Sequence, residues 1–234
     1  MTIKIIACEV MKEELLAAAV GRNIEFEFLA QGKHNYPEKL NQELQTILNG
    51  LTGYSQVILA FGLCGGAAKN LQIGDFTLTI PRVHDCIPLL LGSRACFEKH
   101  RSEEIGTLYM SCGWTSSDGS VVAEYNRTYE KYGEKKTARI FDMMYSGYKR
   151  VLFIRTGIPN EEEHLKRSKE IGQLLKLDHQ TTEGSLRYID KLVNGPWDED
   201  DFINIPPHGL IDESYFLVQE EAVRPSNSPE EQME

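Results

Sequence analysis

The sequence predicts an α/β fold, a mostly parallel sheet flanked by helices, open to division into two pseudo-related halves. Three observations carry this. Short strand-like runs alternate with helical runs from one end of the chain to the other. Residues 57–61 (VILAF) are apolar without a break, as in a strand covered on both faces. The connections between runs are short and leave room for right-handed crossovers. A chain of 234 residues buries a large core as one domain or as two fused halves.

The first strand is read at residues 3–7, which sets Cys8 and Glu9 at its carboxyl end. A helix over 12–20 follows, favoured by Glu13 and Glu14 in its first turn and stopped at Gly21. Residues 24–29 (IEFEFL) alternate acidic with apolar, a strand with one wetter face, and run into a loop from Gln31 to Tyr36. Pro37 suits the first turn of an amphipathic helix over 38–48, with Leu40, Leu44, Ile47 and Leu48 on one stripe. The apolar strand at 57–61 ends in Gly62-Leu63-Cys64-Gly65-Gly66. A strand at 76–80 is stopped by Pro81, and Val83-His84-Asp85-Cys86 opens an apolar helix over 87–91. Ser93 caps a helix over 94–100.

Residues 106–110 form the next strand, entering Ser111-Cys112-Gly113-Trp114. A helical region over 121–145 breaks near Gly133. The strand at 150–154 has a polar exit, Arg155-Thr156-Gly157, and Asn160 caps a charged helix over 161–171. A short strand at 174–177, a helix over 184–193 and a strand at 202–205 complete the order. The division expected is residues 1–113 as the half carrying the Cys/His cluster, 114–223 as a second half packed on it, and 224–234 as a disordered acidic tail.

The formal net charge is −10, with acidic clusters at 161–163, 198–201 and in the tail. No basic stripe is interleaved with aromatics, so nucleic acid is not an expected partner. No apolar segment is long enough for a bilayer and the opening MTIKIIACEV lacks a basic leader, so a cytoplasmic protein is expected. The cysteines, Cys8, Cys64, Cys86, Cys96 and Cys112, are odd in number and lack the spacing of a disulfide scaffold. In such a chain they serve as buried fillers, metal ligands or reactive thiols.

If the strands are parallel, Cys64, His84 and Cys86 lie just beyond the carboxyl edge of the sheet, where open α/β sheets bind ligands. One reading makes Cys8, Cys64 and Cys86 three thiolate ligands of zinc, with His84 or His34 as the fourth. His84 and Cys86 reach one ion together only if the backbone between them is extended. A metal-free reading makes Cys64 a nucleophile paired with His84, its thiol pKa lowered by the N–H groups of Gly65 and Gly66. The glycines from Gly62 to Gly66 fit neither a dinucleotide fingerprint nor a P-loop. Arg82 can bind a ligand carboxylate or phosphate, or pair with Glu9 or Asp85. Trp114 stacks on a planar ligand or belongs to the core, and His34 lies in a loop of the kind that meets ligands. Against all these stands the plainer alternative: buried cysteines at strand ends, His84 bonded to a carbonyl, Asp85 capping the next helix, and Cys96 and Cys112 structural.

At Gly62-Leu63-Cys64-Gly65-Gly66, Pro81-Arg82-Val83-His84-Asp85-Cys86 and Leu91-Gly92-Ser93 the sequence resembles the domain of unknown function 1638 family. Cys8-Glu9, Gly32-Lys33-His34 and Gly113-Trp114 match further shared features, and the resemblance extends to about residue 209. It implies no settled activity, but frequent company with corrinoid-dependent methyltransferase systems. The His84-x-Cys86 spacing is also similar to the zinc site of methylcobamide:thiol methyltransferases, in which zinc activates a thiol as methyl acceptor. Three functions are therefore expected as alternatives. The first is a metal-thiolate protein carrying out zinc-dependent methyl or alkyl transfer with a small thiol or a corrinoid. The second is a non-catalytic accessory protein binding a corrinoid or related tetrapyrrole, although no Asp-x-His-x-x-Gly pattern is present. The third is a metal-free Cys/His transferase. The expected partners are a small-molecule ligand and a corrinoid protein, with no membrane.

Overall fold

The computed structural model describes residues 3–116 and 120–216, so the tail expected at 224–234 lies outside the described residues. In chain order the strands are β1 (Ile3–Cys8), β2 (Ile24–Leu29), β3 (Gln56–Ala60), β4 (Thr77–Pro81), β5 (Thr107–Met110), β6 (Arg150–Arg155), β7 (Asp178–Glu183) and β8 (Phe202–Ile205). The helices are α1 (Lys12–Ala18), α2 (Pro37–Gly50), α3 (Ile87–Leu91), α4 (Arg94–Glu103), α5 (Cys112–Ser116), α6 (Val121–Tyr132), α7 (Glu134–Met144), α8 (Glu161–Leu175) and α9 (Arg187–Asn194). The fold is α/β, with two sheets flanked by helices.

The first sheet has the order β2-β1-β3-β4-β8, parallel except for β8, which runs antiparallel to β4. Its register sets Cys8 opposite Leu29 and Ala7 opposite Ala60, so β2, β1 and β3 finish at one level. From β1 the chain crosses to one side to form β2, then to the other to form β3. The topological switch point therefore lies between the carboxyl ends of β1 and β3, where a crevice opens in such sheets. The central strands are apolar because both faces are covered: Ile5, Ile6, Val57, Ile58, Leu59, Leu78 and Ile80 are all inaccessible to solvent. At the β2 edge the alternating sequence keeps Glu25 in solvent, while Phe26 and Phe28 stack with centroids 5.4 Å apart.

The second sheet has the order β5-β6-β7, all parallel. The chain enters it through α4 and returns between β7 and α9, whose Tyr188, Ile189, Leu192 and Val193 are buried in the first core. These two passages touch. Ser185 donates its N–H to Leu90 O at 3.0 Å, and a Cβ on Gly92 would lie 2.5 Å from that of Ser185. Gly92 also ends α3 with φ +82°, a conformation open to glycine at no steric cost.

Two local expectations are corrected. The strand expected at 174–177 is displaced, because α8 continues to Leu175 and β7 begins at Asp178. Leu175 and Leu177 pack on the second core, whereas β7 (DHQTTE) is a polar edge strand paired only with β6. Asn160 makes no side-chain cap; it takes φ +64°, and Glu161 Oε1 accepts the Gly157 N–H at 2.8 Å instead. The break at Gly133 holds, separating α6 from α7 at φ +74°. No helix among the described residues is long and apolar enough to cross a membrane.

Candidate functional site

The carboxyl rim of the first sheet is assembled from the exits of four strands. Cys8, the last residue of β1, is buried, and Glu9 Oε1 accepts the Gln31 N–H at 2.7 Å. That bond ties the exit of β1 to the 3-10 turn after β2, which carries His34. His34 Nδ1 lies 3.0 Å from Gln31 O. A carbonyl oxygen only accepts, so Nδ1 carries the hydrogen and Nε2 keeps the lone pair. The ring stacks on Phe61 with centroids 5.8 Å apart, and Cys8 Sγ lies 3.9 Å from Nδ1. Burial lowers the His34 pKa, so the imidazole is neutral at physiological pH.

Cys64 follows β3 in a left-handed backbone conformation, φ +48°. For a residue with a Cβ this costs about 1–2 kcal/mol, and such strain collects at functional sites. The conformation is held by contacts to the exit of β4: Cys64 N–H donates to His84 O at 2.8 Å and Leu63 N–H to Val83 O at 3.0 Å. Gly62 permits that approach, because a Cβ there would lie 2.6 Å from Asp85 N and 2.7 Å from His84 C. Asp85 Oδ1 accepts the Ile87 N–H at 2.8 Å and so caps the start of α3. Cys86 has helical angles (φ −79°, ψ −9°) and is buried, whereas His84 is exposed.

The structure therefore brings Cys8, Cys64, Cys86 and His34 to one rim, with His84 contributing its carbonyl and an exposed ring. Cys8 disfavours ionisation of Cys64, and both disfavour that of Cys86. Burial pushes Cys8 and Cys64 up to about 12, with Cys8 and Asp85 adding to the rise at Cys64. Cys86 is raised well above its ordinary value by burial first, then by Asp85, Cys8 and Cys64. All three are neutral thiols at physiological pH. Among the described residues no group of three or more His, Cys, Asp or Glu side chains is arranged to hold a metal ion. The donors suit a soft ion in kind, but their positions do not gather around one.

Arg82 is directed elsewhere. Its guanidinium donates to backbone carbonyls at Glu199 (3.2 Å), Phe202 (3.5 Å) and Tyr215, fastening the exit of β4 to the segments around β8. Trp114 lies in α5 and packs against both cores; its indole N–H has no partner among the described residues. Gly65 and Gly66 line a shallow recess of about 440 Å³ with Pro37, Asn41 and Lys69. Sequence reasoning missed a second, deeper cavity of about 400 Å³, where Glu9 and Glu14 meet Cys112, Gly113 and His164. The signal available was Cys112-Gly113 at the exit of β5, the counterpart in the second sheet of the Cys8-Glu9 exit.

The sequence model of a family described as "Protein of unknown function (DUF1638)" matches residues 28–193, which include Cys64, His84, Cys86 and Trp114. No curated protein matches the chain, and no solved structure does.

Proposed function

We propose that this chain, which belongs to the DUF1638 family, is a thiol-centred acyl transferase in which Cys64 takes up an acyl group from a small molecule. One observation carries the reading: Cys64 alone among the rim thiols has a strained left-handed backbone, in a Gly62-x-Cys64-x-Gly66 turn leaving a buried parallel strand. The left-handed turn at the end of a strand is shared with a nucleophile elbow, although a three-residue 3-10 turn stands here where the elbow has an α-helix. In the proposed step the Cys64 sulfur attacks the acyl carbon, a C–S bond forms and the carbonyl π pair moves onto oxygen. The thiol proton passes to His34 Nε2. Collapse of the intermediate expels the leaving group with its bonding pair and, once protonated from His34, it departs. The Gly65 N–H, next to the nucleophile, is the donor assigned to the oxyanion. A small thiol then attacks the thioester and frees Cys64. The setting proposed is a reducing cytoplasm, in keeping with five unpaired cysteines.

The test uses p-nitrophenyl acetate and acetyl thioesters with intact-mass and peptide-mapping readouts. An acetyl group should appear on Cys64, vanish in Cys64→Ser, and form about 100-fold more slowly in His34→Gln, the usual scale of general-base assistance. Acetylation mapped to another residue, or persisting in Cys64→Ser, sinks the reading.

A second reading is a metal-thiolate site for methyl or alkyl transfer between a small thiol and a corrinoid protein. It is favoured by the bond from His34 Nδ1–H to Gln31 O, the outer contact that metal-bound histidines make, which leaves Nε2 as the donor. Cys8, Cys64, Cys86 and either His34 or His84 would supply the ligands only by moving from their present positions, which do not gather around one ion, and zinc when bound would turn neutral thiols into thiolates. Stoichiometric zinc in protein purified without a histidine tag, lost in Cys8→Ser, selects this reading over the first.

A further inference from the structure

The deeper cavity shares only Glu9 with the cysteine rim and has its own chemistry. On one wall stands Glu14, which is 0% exposed. Thr156 Oγ1 donates to its Oε1 at 2.9 Å, while Oε2 is buried with no partner among the described residues. On another wall stands His164. Thr115 and Ser116 both donate their hydroxyl hydrogens to Cys112 O, at 2.9 and 2.8 Å. Their oxygens are therefore acceptors for His164 Nδ1–H, at 2.8 and 3.4 Å. The Nε2 lone pair remains, with no partner among the described residues.

The charges around this space are acidic. Glu9 and Glu13 line it without an ion pair among the described residues, and Lys12 holds its ammonium 5.8 Å over the Phe28 ring. The helix amino-termini at the cavity are already offset, α1 by Glu13 and α8 by three glutamates in its first turn. An anion is therefore disfavoured. A bare metal ion is disfavoured too, because no three donors converge among the described residues. About 400 Å³ is instead the size of a small organic ligand site.

We propose that this cavity binds a small organic ammonium, whose N–H groups are received by Glu14 and His164 Nε2 while its carbon chain lies against Val10, Ile158 and Pro159. Burial, with Glu13 and Glu161 nearby, raises the Glu14 pKa, so the empty cavity keeps a neutral acid. Arrival of a cation supplies the missing partner and lets that acid ionise. The inference does not rest on the acyl-transfer reading.

Isothermal titration of the full chain with propylammonium chloride, propan-1-ol and sodium propionate tests it. Propylammonium should bind saturably, with the alcohol and the carboxylate at least tenfold weaker. Glu14→Gln, checked for folding by circular dichroism, should weaken the ammonium tenfold or more; Cys64→Ser should leave it unchanged. His164→Gln, at a half-buried position, should weaken it several-fold and decides the matter if Glu14→Gln does not fold. Absence of saturable ammonium binding, equal binding of the neutral or anionic probe, or an affinity untouched in whichever of these variants folds overturns the proposal.

Discussion

A thiol held at a pKa of about 12 is a protected group. At neutral pH only a trace of Cys64 is thiolate, so adventitious alkylation and oxidation are slow until a ligand brings its base into play. Alkylation of Cys64 by iodoacetamide, mapped by peptide mass spectrometry in a Cys96→Ser background, should climb about tenfold per pH unit from pH 7 to pH 10. A plateau near the ordinary thiol pKa contradicts the buried, neutral state. Glu14 makes the converse point for stability. Its folded pKa is raised, so above the ordinary carboxylate pKa the unfolded chain loses a proton that the folded chain keeps. Stability then falls with rising pH, by up to about 1.4 kcal/mol per unit until the folded pKa is passed. Glu14→Gln should flatten that slope in urea titrations and leave the acid limit nearly unchanged. The place of Cys8, Cys64 and Cys86 beyond strand ends was legible in the sequence, because each follows a run that reads as a buried strand. The role of Arg82 was not, since its partners are backbone carbonyls more than a hundred residues later, and a carbonyl leaves no mark in a residue pattern. Glu14 was hidden differently: an acid in the first turn of a helix reads as a partner for the dipole.

The elements are held by contacts that only particular residues allow. A Cβ on Gly113 would lie 2.0 Å from Val10 O, so α5 packs directly on the backbone of the turn after β1. Gly113→Ala should cost at least about 2 kcal/mol in urea denaturation, by forcing apart backbone that cannot yield. Gly32→Ala, with nothing within 4 Å of the new carbon, should stay within about 0.5 kcal/mol. If both substitutions prove equally mild, the account of Gly113 is mistaken. Alternation and apolar runs located β1, β2, β3 and β6 closely, because burial writes itself into those strands. It does not do so at β7, an edge strand whose pairing with β6 is carried by the backbone; the apolar residues before it belong instead to the packing around α8. The short helix α5 is likewise a product of tertiary contact, since Cys112-Gly113-Trp114 reads locally as a loop.

At the scale of the molecule, the strand that closes the first sheet comes from the far end of the chain. Phe202, Ile203 and Ile205 are buried, and Thr79 Oγ1 donates to Asn204 Oδ1 at 2.7 Å across the β4–β8 pair. The family match ends at residue 193, short of this strand. A chain stopped at residue 195 loses at least five buried apolar side chains, Phe202, Ile203, Ile205, Ile211 and Phe216, each contributing about 1.5–3 kcal/mol, and bares the edge of β4. Such a truncation should elute as aggregate in size-exclusion chromatography; a folded monomer would show β8 to be dispensable. The seam at Leu90 and Ser185 has a mechanical meaning as well. The outgoing and returning spans are joined side by side there, and elsewhere α5 seats on the turn after β1 while Thr156 bonds Glu14, so the two sheets are clamped at more than one place. Parting the rims then means releasing every clamp together, and slow deuterium uptake at the Ser185 amide is the expected sign of that rigidity.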